Sequence, residues 1–411
     1  MLAIHAGAWW FARGTISQGG LDFTIFYSAG KMLNSGMGSQ IYDEAAEWHV
    51  QQEVVRGTSR KAAIPFMHAP FEALLFVPFS VFSYVTAYVL WNLGSLILLV
   101  LLPFVVRPHL PALAQFSPAL ITLLCLGSFP VFLGMLEGQD TILLLFLYCL
   151  VFAAFKENAW VTAGALLALS LFRFHLVLPL VLVMLFLKIW RVLGGFVLAG
   201  IGLAMISAAF LGWKVVLHYP FYIWSLEQHR GGLILPPRDY PDLRGLIESW
   251  FSNWAGAQVL LAATVVVSAA ALYVVFWQWK RIREPSPQRF DLVFALAVLV
   301  TLLVGYHTLL YDYSLLIIPA LIVLNYVLEN PQLNQWQRVV LLSPMVLLFF
   351  TPLYVFLWMH RWEGSNLMAL LLVGWAWALS ATLSRRPQAG ELTPVHAVHC
   401  GTVAKGWPLL K

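Results

Sequence analysis

The sequence predicts an all-α fold: a polytopic bundle of membrane-spanning helices. Two observations carry that prediction. Of the 411 residues, 61% are hydrophobic and only 10% are charged, whereas a soluble domain carries roughly 25% charged residues. Mean hydropathy is +0.80, and apolar stretches of about 20 residues recur, the length that crosses roughly 30 Å of hydrocarbon. This composition excludes a cytosolic globular enzyme, a disordered chain and a nucleic-acid binder.

Roughly 11–12 spans are expected. Met1–Ala12 is apolar but short, and reads as the end of a first span truncated at its start, an interfacial half-helix being the alternative. A long polar loop is expected over 13–70, with Gly-Gly, Asn-Ser-Gly and Gly-Thr-Ser turn signals. Further spans are expected at Tyr84–Val106, Phe116–Leu133, Thr141–Phe155, Ala159–Phe172, Leu176–Leu187 and Val192–Leu211. They continue at Ala255–Trp279, Phe290–Val304, Tyr313–Leu328, Val339–Trp358 and Leu367–Leu383, with a second polar loop at 212–254. Residues 1–386 thus form one membrane domain, and 387–411 a polar, disordered cytoplasmic tail.

The net charge of +5 records orientation, because Lys and Arg are retained on the cytoplasmic side. Lys280–Arg289 holds four basic residues, and Arg107, Lys156, Lys188, Arg191, Arg338 and Arg385–Arg386 occupy connections of the same parity. With these inside, alternation places both long loops and the turns near Glu137–Asp140, Arg173–His175, Gly305–Asp312 and His360–Glu363 outside, around one vestibule. Cys125, Cys149 and Cys400 form no disulfide framework. No cleavable signal peptide is recognisable.

Ionisable residues at a membrane edge are functional candidates by default. Asp22 precedes Phe23 and Tyr27; it reads either as a desolvated general base or as a helix N-cap. Glu137-Gly-Gln139-Asp140 places two carboxylates and an amide in a short turn suited to a sugar or, through a cation, a phosphate; a solvated turn and a cap are the alternatives. Arg173, beside His175, offers the planar fork that suits phosphate, or snorkels to the interface. His307 and Asp312 lie five apart, so a regular helix would not put them on one face; either a turn or broken helix brings both into the vestibule, or His307 is a satisfied interfacial histidine beside a belt of Tyr residues. Arg238 and Arg244 read as an anion clamp or as solvated loop charges. His396, His399 and Cys400 lack a further ligand for a metal site. There is no phosphate-binding Gly-rich loop and no Gly-x-Ser-x-Gly elbow.

Taken in order, these segments resemble glycosyltransferase family 87. The resemblance rests on Asp22-Phe23 with Tyr27 and Ala29, Gly36, Ile41-Tyr42-Asp43, Ala69-Pro70-Phe71 with Pro78, Gly138-Gln139-Asp140 and Ala163-Gly164. It continues through Arg173-Phe174-His175 with Pro179, Leu243-Arg244-Gly245, and His307 with Tyr311-Asp312 and Pro319. It spans residues 20–330. The resemblance implies a GT-C-type helical bundle that moves a hexose, mannose, from a polyprenyl-phosphate donor to an acceptor hydroxyl on a glycolipid or glycan. It implies a multi-pass protein of the bacterial plasma membrane with an external active site, in contact with membrane lipid and with no nucleic acid partner. Asp22 would be the catalytic base and His307 a second catalytic residue. Tyr27, Gln139, Asp140, Arg173, His175, Arg244 and Asp312 would bind substrate. No cofactor and no metal site is expected, a divalent cation bridging the phosphate to Glu137 or Asp140 being left open. The chain departs from the family pattern where Arg173-Phe174 replaces a Lys often followed by Pro, and where Asp140 replaces a frequent Asn. A flippase or transporter of lipid-linked sugars and an inactive membrane scaffold are the competing readings.

Overall fold

A computed structural model describes residues 1–55, 60, 62–229, 240–282, 287–359 and 364–384. The expectations for Arg238, for the turn His360–Glu363, for Arg385–Arg386 and for the tail from 387 lie outside the described residues. Among those described, the chain is helical throughout and contains no strand.

The N-terminal quarter is helical where a polar loop was expected. Helix α1 (Leu2–Ser17) runs past the apolar stretch, and α2 (Phe23–Asn34), α3 (Glu44–Val54) and α4 (Pro70–Phe76) follow. Helix α2 buries nearly all of its residues. Asp43 caps α3, accepting from the Ala46 amide at 2.9 Å. These elements pack with α5 (Tyr84–Val106) around a small aromatic core of Phe23, Phe26, Tyr27, Phe76, Tyr84 and Tyr88.

The larger core is built from the helices that follow. Helices α6 (Pro118–Leu126) and α7 (Phe129–Glu137) were expected as one span but bend by 71°. Ser128 is extended at the break and Pro130 opens α7, as suits a residue with no amide to give the preceding turn. Helix α8 (Thr141–Lys156) leads to α9 (Trp160–Leu169), and a 3₁₀ turn at Leu171–Arg173 joins α9 to α10 (Phe174–Phe186) with a 60° bend. Helix α11 (Trp190–Leu211) lies against α9 at glycine contacts. A Cβ on Gly164 would come 1.9 Å from the Val192 carbonyl oxygen, and one on Gly195 would come 2.1 Å from that of Val161. Only glycine permits this approach of two backbones.

The second expected loop also carries helices, α12 (Trp213–His229) and α13 (Leu243–Phe251). The remainder comprises α14 (Ala257–Lys280), α15 (Pro287–Val304), α16 (Ile317–Glu329), α17 (Gln335–Phe349), α18 (Thr351–Met359) and α19 (Gly364–Ser384). Five described helices are long and apolar enough to cross a membrane, or seven if each bent pair counts as one span. Helices α11 and α14 expose apolar side chains such as Leu198, Met205, Val265 and Val266. In water such a surface would be unfavourable; in a bilayer it is the lipid-facing wall. The chain is a multi-pass, all-α membrane protein.

Candidate functional site

The two apolar cores meet along a polar seam, and most of the singled-out residues lie in it. Asp22 stands at the start of α2, but its side chain makes no capping bond. Instead its Oδ2 accepts a 2.7 Å hydrogen bond from Nε2 of Gln139, and its backbone amide donates to Oε2 of Glu137 at 3.2 Å. The carboxylate is therefore held by the α7–α8 turn. That turn requires Gly138, which sits in the left-handed region at φ 67°; a Cβ there would also come 2.7 Å from Cβ of Phe23.

Gln139 is a relay. Its Oε1 accepts from Nη2 of Arg173 in a very short contact. Arg173 projects from the 3₁₀ break between α9 and α10, where a regular helix would have carried it elsewhere. Its Nε donates to Oδ1 of Asp140 at 2.8 Å and its Nη2 reaches the same oxygen at 2.6 Å. Its Nη1 lies 3.5 Å from Oδ1 of Asp312, and its guanidinium carbon is 5.3 Å from the centre of the Tyr311 ring. Arg173 is 5% exposed and Asp140 1%. The guanidinium is thus a buried bridge between two carboxylates and an amide, not an open cation. Asp312 is fixed in turn by the Leu309 amide, which donates to Oδ2 at 2.8 Å.

Three residues that sequence reasoning passed over complete the seam. His68 places Nδ1 2.8 Å from Oε2 of Glu72 and 3.7 Å from Oδ2 of Asp140. Glu72 is fully buried in the first turn of α4. Arg60 lies within electrostatic reach of Asp22. The signal for His68 and Glu72 was present: an i,i+4 ionisable pair around Pro70, beside the very residues that carry the resemblance.

The electrostatics follow from this packing. Burial raises the pKa of Asp22 above its ordinary value, against the opposing hydrogen bond from Gln139 and the charges of Arg173 and Arg60. Burial, then the charge of Arg173, pushes His68 down to about 3, so its imidazole is neutral. Burial also pushes Glu72 well up, reinforced by the negative charge of Asp140. Asp140 feels the same burial, but Arg173 outweighs it and holds this carboxyl below the ordinary range.

A second cluster lies on the α13 side. The guanidinium carbon of Arg244 stands 4.1 Å from the centre of the Tyr306 ring, a cation–π contact. His307 packs edge-on against Tyr306 and Tyr240, with ring centres 4.6 and 5.0 Å away. Buried Asp242 caps α13 through the Gly245 amide at 2.8 Å, and Tyr313 donates to the Pro241 carbonyl at 2.6 Å. Burial pushes Asp242 up to about 7, against hydrogen bonds from the Gly245, Thr308 and Arg244 amides. His175 lies within electrostatic reach of Arg173, His307 and His68, between the two clusters.

The family model described as Glycosyltransferase family 87 matches residues 66–305, more than half of the chain. The chain belongs to glycosyltransferase family 87. No curated protein and no solved structure matches it. The family 87 segment contains Gln139, Asp140, Arg173, His175 and Arg244, while Asp22, Tyr27, His307 and Asp312 lie beyond its bounds. Within this family 87 chain the structure brings Asp22, Gln139, Asp140, Arg173 and Asp312 into one connected network. It sets His307 with Arg244 instead, so the five-residue spacing from His307 to Asp312 separates them into neighbouring clusters. Tyr27 goes elsewhere: its hydroxyl donates to the Phe82 carbonyl at 2.9 Å and its ring packs edge-on against Tyr84 at 5.4 Å, inside the aromatic core.

Proposed function

We propose that this glycosyltransferase moves a hexose, mannose, from a polyprenyl-phosphate donor to an acceptor hydroxyl on a glycolipid or glycan. The reaction would take place on the external face of a bacterial plasma membrane. The observation that supports this reading best is the linkage of Asp22 through Gln139 to Arg173. Glycosyl transfer from a phosphate needs a base for the nucleophile and compensation for the leaving anion. A carboxylate with a raised pKa, partly exposed and aimed by an amide, suits the first task.

In this mechanism Asp22 takes the proton of the acceptor hydroxyl as that oxygen attacks the anomeric carbon. The bond from this carbon to the phosphate oxygen breaks, and the pair of electrons leaves with the polyprenyl phosphate. One displacement inverts the anomeric centre. Arg173, committed to Asp140 and Asp312, acts as a positioning residue for Gln139 and hence for Asp22. The other positive charges of the two clusters, Arg60 within electrostatic reach of Asp22 and Arg244 over the Tyr306 ring, are the candidates for holding the phosphate. His307 would then face the donor phosphate or the reacting sugar.

The test uses the full chain in proteoliposomes with labelled polyprenyl-phosphate mannose and a membrane-lipid extract as acceptor. Label passing to a new product with inverted linkage supports the reading. Label crossing the bilayer on an unchanged donor would mark a flippase, and label taken only from a nucleotide sugar would overturn the donor assignment.

A further inference from the structure

We propose that His68, Glu72 and Asp140 form a binding site for one divalent first-row cation, of the Mn²⁺ or Zn²⁺ kind. Their ligand atoms all lie within 4.8 Å of one another, the compass of a first shell in which each bond is roughly 2.0–2.2 Å. One imidazole nitrogen with two carboxylates is the donor set such ions accept.

Three acidic or neutral groups near one another would not make a site by themselves. The second observation is the state of Glu72. It is 0% exposed, and neither of its carboxylate oxygens takes part in a hydrogen bond among the described residues. Nδ1 of His68 and Oδ2 of Asp140 are likewise buried without a hydrogen bond. Nδ1 of His68 stands 2.8 Å from Oε2 of Glu72, and the Glu72 and Asp140 carboxyls are close enough to share a proton. Lone pairs that converge in this way call for a positive occupant, and a divalent cation can serve all three groups at once. An uncompensated buried carboxylate is otherwise costly.

Arg173 is engaged by Asp140 and Asp312, so it does not itself occupy the space between His68, Glu72 and the far oxygen of Asp140. The two oxygens of Asp140 divide the work: Oδ1 serves Arg173, and Oδ2 faces His68. Local structure supports the ligand geometry. Ala69 is extended and Pro70 opens α4, so His68 folds back over the first turn, where Glu72 sits. The His68 ring packs against Phe26 at 4.8 Å and Phe66 at 5.4 Å, and Tyr42 donates to its carbonyl at 2.8 Å. Its side chain is 11% exposed, which leaves the cation a way in.

The site rests on these three side chains whether or not the chain transfers a sugar, so its test reads the metal directly. Chelator-stripped full-length protein in detergent is titrated with Mn²⁺, with bound ion measured by equilibrium dialysis and by loss of the free-ion electron paramagnetic resonance signal. One Mn²⁺ per chain is expected, with the affinity lowered at least tenfold in Glu72→Gln and in His68→Gln. Glu157→Gln, at a side chain that is 68% exposed, should bind as wild type does. Size-exclusion profiles confirm that each variant is folded, and the two ligand substitutions allow for one failing that check. Absence of stoichiometric binding by folded wild type, to Mn²⁺ and then to Zn²⁺ at millimolar concentration, overturns the proposal, as does binding undiminished by the substitutions. Either result would leave a proton shared between Glu72 and Asp140 as the occupant, and would leave the transferase reading intact.

Discussion

Nε2 of Gln139 donates a 2.7 Å hydrogen bond to Oδ2 of Asp22, joining two residues 117 positions apart. Its other amide atom is held by Arg173, so the donor orientation is fixed rather than free to flip. A base aimed by a fixed donor presents its other oxygen to substrate in a defined direction. Gln139→Leu should lower kcat/KM roughly 10- to 100-fold, the worth of one hydrogen bond to a charged group. It should leave the protein folded, as read by its size-exclusion profile. An unchanged kcat/KM would remove Gln139 from the catalytic arrangement.

The raised pKa of Asp22 makes a prediction about pH. The base must be ionised to act, so activity is lost as pH falls through its folded pKa. Burial places that point above the ordinary value of 3.8. The acid limb of kcat/KM should therefore lie above the normal Asp range. In Gln139→Leu, which loses the bond that favours the carboxylate, it should move to still higher pH. A limb that stays in place would mean that another group titrates.

Arg173 is expected to be structural as well as functional. Replacing it with Met leaves Asp140 and Asp312 buried without their cation, a change that costs about 3–5 kcal/mol in comparable buried pairs. Thermal unfolding in detergent should show a large drop in midpoint. Adding Asp140→Asn to Arg173→Met should recover part of it, because one unpaired charge is removed. Arg173→Lys keeps the charge but not the fork, and should fall between wild type and Met.

Much of this architecture was legible in the sequence, and the misses share a cause. Tyr84–Val106 was placed to the residue because its long apolar run carries no charged residue. Phe116–Leu133 was drawn as one span, since hydropathy reports burial and not chain direction; Ser128 and Pro130 turn it by 71°. Helix α2 was foreshadowed only by the cap reading of Asp22, because its 12 residues are too few to cross a membrane and lie between Gly-Gly and Asn-Ser-Gly turn signals. The Asp22–Gln139–Asp140–Arg173–Asp312 set could be gathered by asking which ionisable residues stand at membrane edges. Their pairing was invisible, because it depends on the break at Leu171–Arg173. His68 was lost to the assumption that 13–70 was loop, and its partner Glu72 lies just past that boundary, where no candidate was sought.

Asp242 supplies a test of pH-dependent stability. Its folded pKa is raised to about 7 from 3.8, so the native state binds the proton more tightly than the unfolded chain. The stability this group contributes is fully present below the unfolded value and lost as pH rises through the folded one. Between pH 4 and 7, wild type should lose more melting temperature than Asp242→Asn, which stays uncharged. Parallel slopes for the two proteins would refute the assignment.

The approach of α9 and α11 should be intolerant of a single methyl. Gly164→Ala sets a Cβ against the Val192 carbonyl at 1.9 Å, and overpacking of this kind costs about 1–3 kcal/mol or more. Gly200→Ala, with nothing within 4 Å, should be silent in the same thermal assay.

The central claim is that Asp22 is the base of a lipid-linked sugar transfer. Its most direct test is single-turnover transfer from labelled polyprenyl-phosphate mannose by wild type and by Asp22→Asn, in proteoliposomes with donor binding measured in parallel. The account predicts equal donor binding and a rate about 10²- to 10⁴-fold lower in the variant, the contribution of a positioned general base. Equal transfer rates at equal donor binding would contradict it.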